Sequence, residues 1–226
     1  MYIYSKKSRR RMHAIPAAIA LLAVTVLWLV SGSHQSHAAE ILSAQQLAEW
    51  DQDCRGCEVD IQYDVLQGNV IRMASDDELS LSRRIKEQPD HPGLKWQWSV
   101  DSFVDGGKLI RLSVFLKETE DWPARTLHYV WDSNAESGAI ETRSDFEHVL
   151  VVTGADARAE HWYSISRDLN ADWSAIYNEA MPAIDHIEVG LGMPEEDAIT
   201  GAFIDALTLS SLEPAERQQP AIAINE

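Results

Sequence analysis

Two aromatic pairs have a spacing that could do chemistry: Trp96 with Trp98, and Tyr129 with Trp131. Strand side chains alternate between faces, so each pair projects from one side of its sheet. Rings arranged this way form a platform on which sugar rings stack, while guanidinium and carboxylate groups bond the hydroxyls. The same spacing suits a sandwich core, where large aromatics fill the layer between two sheets. Arg111 interrupts an otherwise apolar strand from Leu109 to Leu116. Burying its guanidinium requires either a carboxylate partner or a cleft that it lines. Arg167 and Asp168 stand at a strand-to-helix junction with Asp172 one turn on, which makes either an ion pair with a helix cap or a ligand clamp. The expected ligand-binding set is Trp96, Trp98, Arg111, Tyr129, Trp131, Arg167 and Asp168. Trp122, beside Asp121 and Pro123 in a loop, is expected to be the most exposed tryptophan.

Catalytic templates are largely missing. The chain has no G-x-S-x-G elbow, no phosphate-binding glycine loop, no dinucleotide fingerprint and no H-E-x-x-H helix. The histidines after the leader are scattered, and no catalytic residue is assigned. A carboxylate pair for glycoside chemistry stays open as an alternative, because 36 acidic residues offer many pairs. Turn-borne acidic clusters such as Glu118/Glu120/Asp121 and Glu195–Asp197 carry oxygen ligands of the type Ca²⁺ takes, and are equally a solvated surface.

The elements that must position these residues begin after a three-part N-terminus. Lys6 to Arg11 is basic, Ala14 to Val30 is almost wholly apolar, and Ser31 to Ala39 is small and polar. This is the layout of a secretory signal peptide over residues 1–38, with cleavage near Ala38/Ala39 and a periplasmic or secreted product. The alternative is a retained membrane anchor, since the apolar run approaches the ~20 residues that span a bilayer. Five of the 19 basic residues lie in this leader, leaving 14 basic against 36 acidic residues beyond it, a net −22. Such a surface repels phosphate backbones, so nucleic acid is excluded as a partner. Cys54 and Cys57 are the only cysteines. Glu58 follows where c-type haem attachment needs His, three acidic neighbours disfavour a thiolate, and an exported chain then makes the pair a structural disulfide.

Past the leader, residues 40–53 read as a short helix capped by Ser43. Alternating segments follow at 61–66, 70–74, 79–82, 94–100, 109–116, 126–131, 148–153 and 161–166. A helical pattern at 168–180 then precedes two last strands at 184–191 and 202–209. About ten half-apolar strands each bury one face most simply in an all-β, antiparallel two-sheet β-sandwich with one or two short helices. The domain spans residues 40–212, and 213–226 form a flexible tail.

The ordered set Trp96-x-Trp98, the Arg111 strand, Leu127-His-Tyr-Val-Trp131, Arg167-Asp-Leu-Asn-Ala-Asp172 and Ile204-Asp205 resembles the family called Domain of Unknown Function 3047, from Tyr63 to Leu209. The resemblance implies an exported β-sandwich related to carbohydrate-binding jelly rolls. It also implies a structural calcium at Asp205, in the last strand. Gly106-Gly107-Lys108 replaces an acidic pair usual in that family before the Arg111 strand. The leading reading is an exported, non-catalytic binding module for a glycan or another cell-envelope component. The alternatives are a polysaccharide-acting enzyme with a carboxylate pair on the same face, and a structural or assembly protein of the envelope.

Overall fold

The computed structural model describes residues 39–54, 56–75, 79–102, 107–193 and 200–217. The leader and the last nine residues lie outside that range, as do the acidic cluster Glu195–Asp197 and Gly106.

Among the described residues, thirteen strands form two facing sheets. Sheet A contains β1 (Ala39–Leu42), β3 (Glu58–Asp64), β4 (Gly68–Ser75), β6 (Pro92–Val100), β11 (Tyr163–Asp168) and β13 (Thr200–Ser211). Its order is β11-β6-β13-β4-β3, with β1 pairing along the second half of β13. Sheet B contains β2 (Asp51–Cys54), β5 (Leu79–Arg84), β7 (Lys108–Leu116), β8 (Arg125–Asp132), β9 (Ile140–Ser144), β10 (Glu147–Thr153) and β12 (Ile184–Leu191). Its order is β2-β5-β12-β7-β8-β10-β9. Every pairing is antiparallel except that of β10 with β8, which is parallel. The β-sandwich expected from the strand pattern is therefore the fold, with one mixed pair in sheet B. Between the sheets, Leu94, Val100, Leu112, Val114, Ile187, Val189 and Ile204 are fully or almost fully buried. At about 1.5–3 kcal/mol per buried large apolar side chain, this layer is what drives the two sheets together.

The expected helix over 40–53 is not formed. The segment runs as β1, a single 3-10 turn at Leu47–Glu49, and β2. Pairing decides this: β1 lies on β13 and β2 on β5. The Trp50 indole also donates to the Ile41 carbonyl at 2.7 Å and closes the turn inward. β9 was not legible, because it is an exposed edge strand with no apolar alternation. The expected 168–180 helix is α1 (Leu169–Tyr177), stopped by Asn178 in the left-handed region. Cys54 and Cys57 are disulfide-bonded with Cα atoms 5.8 Å apart. They tie the end of β2 in sheet B to the start of β3 in sheet A, so the staple sits where the chain crosses between layers. After β13, Leu212 is buried against Gly93, and Glu216 pairs with Lys95 at 3.0 Å.

Candidate functional site

The expected aromatic platform turns inward. Trp96, Trp98, Tyr129 and Trp131 are all 1% exposed or less. Trp96 and Trp98 meet edge to face with centroids 5.3 Å apart, Trp96 lies 5.7 Å from Tyr129, and Trp131 meets Tyr163 at 5.0 Å. The Trp98 indole donates to the Thr153 hydroxyl at 2.9 Å. Alternation grouped these rings on the right faces, but those faces are the two that meet, so the rings are core and no ligand stacks on them.

The charged members of the set are also engaged within the protein. Arg167 donates from Nε and Nη2 to the two carboxylate oxygens of Asp172, and the Tyr129 hydroxyl donates to the same carboxylate at 2.8 Å. Burial pushes the Asp172 carboxyl above its ordinary range, while Arg167 opposes that shift. Asp168 caps α1 by accepting from the Ala171 amide at 3.1 Å. Arg111 lies on the outer face of sheet B, flat over Gly190, and is 1% exposed. It donates to the carbonyls of Leu191 and Gly192 at 3.0 Å and to Glu188 at 2.5 Å. Ser113 and His128 share that face with it. The Ser113 hydroxyl is 2.7 Å from His128 Nδ1, and His128 Nε2 is 3.2 Å from Glu147. The order of groups is that of a nucleophile, a base and an orienting acid. Ser113 is completely buried, however, so no substrate reaches it. Burial, then the Arg111 and Arg143 charges, push His128 down to about 3, and the imidazole is neutral.

Among the described residues, Asp205 does not stand in the set of carboxylates that the implied calcium would need. Ca²⁺ takes six to eight oxygen ligands. Among the described residues no three His, Cys, Asp or Glu side chains gather as a metal-holding group. Burial pushes the Asp205 carboxyl up, the Ala206 amide opposes that shift, and the Glu40 charge adds to it.

What remains open is the outer face of sheet A. Polar and aromatic positions alternate there with core positions. Ser164 and Ser166 face outward on either side of Ile165, Gln97 lies between Trp96 and Trp98, and Phe203 and Asp205 flank Ile204. Ala206 has a φ of 52°, and the register slips between Asp205↔Gln97 and Thr208↔Lys95. This bulge lets Asp205 and Thr208 both face outward while Ile204 and Leu207 stay in the core, and bulges bend the strand that carries them. Trp162, just before β11, places its ring 6.2 Å from that of Phe203. Both rings are half-buried, as are Gln97, Asp205, Gln62 and Asp64 on the same face.

The face is curled. Asp64 ends β3 at one edge of the sheet, and Trp162 leads into β11 at the other, yet the Trp162 side chain is near enough to act on the Asp64 carboxyl. Four strand spacings of about 4.8 Å would separate those edges by roughly 19 Å in a flat sheet, more than the two side chains can bridge. Val70, on the same face, is fully buried although it lies outside the inter-sheet core, as expected at the bottom of a concave surface. The amides of Leu66 and Gln67 donate to the Asp64 carboxylate at 2.7 and 2.9 Å. They hold it below the usual carboxylate range, with Trp162 adding to the effect. The arrangement is a shallow trough with two aromatic rings, two primary amides and two carboxylates, a donor and acceptor set suited to a neutral polyhydroxylated ligand.

Sequence reasoning missed Trp162 and Phe203 as site residues. The available signal was the converse of the one followed: a lone aromatic among serines or acids in the polar phase of a strand marks an outward ring. Trp122 is 48% exposed, as expected from its loop, and lies over Arg125 at the sandwich end.

The structure is similar to solved β-sandwiches. One is described as a family 16 carbohydrate-binding module (TM-score 0.43, 10% identity, covering 77% of this chain and 100% of that one). Another is a family 11 carbohydrate-binding module from Clostridium thermocellum in complex with a β-1,3-1,4-mixed-linked tetrasaccharide (0.39, 12%, 73% and 90%). A third is a carbohydrate-binding module studied for mannan recognition (0.40, 11%, 79% and 97%). No curated protein matches the sequence. Residues 55–191 match the family described as "Protein of unknown function (DUF3047)", and with more than half its length in that match the chain belongs to this family.

Proposed function

We propose that the protein is an exported, non-catalytic glycan-binding module whose ligand lies in the outer trough of sheet A. The observation that carries this reading is the pair Trp162 and Phe203, half-exposed on a curled polar face beside Gln97 and Asp205. Concave sites that combine apolar rings with a few fixed polar groups bind small ligands and orient them. Export rests on the charge and hydropathy layout of residues 1–38, and the Cys54–Cys57 disulfide suits an oxidising compartment. No helix among the described residues is long and apolar enough to cross a membrane.

The test is titration of the mature chain with a panel of neutral oligosaccharides, read by intrinsic tryptophan fluorescence and calorimetry. Binding of at least one glycan, weakened roughly tenfold or more by Trp162→Ala or Phe203→Ala, supports the reading; tenfold corresponds to about 1.4 kcal/mol. Turnover of a polysaccharide by the purified protein would assign catalysis to the face instead.

A further inference from the structure

Four of the seven large apolar side chains that stand exposed among the described residues lie on one hairpin: Ile61 (51%), Tyr63 (76%), Val65 (84%) and Leu66 (80%). Contiguous exposed apolar surface of this kind marks an interaction site. The hairpin includes β3, the terminal strand of sheet A, which pairs with β4 alone among the described residues. Its other edge therefore presents backbone N–H and C=O groups to solvent. Such an edge is a template for one more strand.

The side chains of β3 indicate what that strand must be. Val59, Ile61 and Tyr63 point to the core side. Val59 packs against the core, but Ile61 and Tyr63 run past it. Glu58, Asp60 and Asp64 point to the other side, and β3 carries no cation. Among the described residues, the guanidinium paired with β3 is that of Arg72, which lies 3.5 Å from Glu58 and 3.3 Å from Asp101, so it is shared between two acids. A second copy of β3 laid along this edge would bring carboxylates against carboxylates, which is unfavourable. The same carboxylates repel an anionic lipid surface.

We infer that the free edge of β3 docks an extended segment of a partner protein in which apolar residues alternate with Lys or Arg. The segment joins sheet A as a further strand. Its apolar side chains lie beside Ile61 and Tyr63, and its cations beside Glu58 and Asp60. Backbone hydrogen bonds then supply affinity, and the alternating side chains supply selectivity.

The experiment uses three short synthetic peptides with the mature chain at moderate salt: one alternating Lys with Val, the same peptide N-methylated at alternate residues, and one alternating Glu with Val. The Lys peptide is expected to bind, and the other two to bind at least tenfold more weakly. In Glu58→Lys/Asp60→Lys the preference between Lys and Glu peptides reverses. Equal binding of the N-methylated Lys peptide to the wild type would reduce the effect to charge attraction and overturn the inference, whether or not the double variant folds. So would self-association of the wild type through this edge in sedimentation, or binding of neutral vesicles without binding of the Lys peptide. Glycan titration of the same preparation reports on the trough separately.

Discussion

The Trp162 side chain comes close enough to Asp64 to help hold its carboxyl below the usual range, although the two residues belong to opposite edges of the same sheet. This contact closes the trough at one corner and positions the ring that the proposed ligand stacks on. Asp64→Ala removes it, along with the cap on the Leu66 and Gln67 amides. We expect this variant to lose severalfold in glycan affinity by calorimetry, with a change in unfolding midpoint much smaller than that of any core tryptophan variant.

The inner and outer tryptophans should separate by stability. Trp98 is fully buried, packed on Trp96 and bonded to Thr153. Trp98→Ala is expected to cost about 3–5 kcal/mol in denaturant unfolding, the range for emptying a large aromatic site. Trp162→Ala should cost less than half as much, because its ring is already partly in water.

Close packing over Gly190 gives a third expectation. A Cβ at that position would stand 2.6 Å from Arg111 Cζ. Gly190→Ala therefore displaces the guanidinium from Glu188 and from two carbonyls, leaving buried charge without its partners. Breaking a buried pair costs about 3–5 kcal/mol, and chemical denaturation should show a loss of that order.

Acid sensitivity follows from His128. Its folded pKa is about 3, below the ordinary 6.5. Between these values the unfolded chain binds a proton that the folded one refuses, so stability falls as pH drops from about 6.5 towards 3. The fall is on the order of 5 kcal/mol if the whole interval is realised. Asp172, raised by burial, works in the opposite direction. The contribution of His128 is therefore read as the difference between wild type and His128→Gln, whose unfolding free energy should depend less on pH across this window.

Much of the fold could be read from strand alternation. β6, β7, β8, β10 and β12 lie within two residues of their expected bounds. β1, β2 and β9 escaped because they are held by neighbours rather than by their own pattern: β9 is exposed at every position but Arg143, and β1 and β2 take their form from β13 and β5. The site was less legible for a specific reason. Alternation shows that Trp96 and Trp98 share a face and that Gln97 points the other way, but not which face the second sheet covers. The mass of the rings decides that, and it draws the pairs inward. Arg111, Arg167 and Asp168, expected in the ligand-binding set, each find a partner within the protein.

The most direct measurement of the central claim is a fluorescence and calorimetric titration of wild type, Trp162→Ala and Trp122→Ala with the same neutral glycan panel. The trough predicts a spectral shift and saturable binding for at least one glycan in wild type and in Trp122→Ala, with loss of roughly tenfold or more in Trp162→Ala. Binding that survives Trp162→Ala and disappears in Trp122→Ala, or no binding by a folded wild-type chain across the panel, would contradict it.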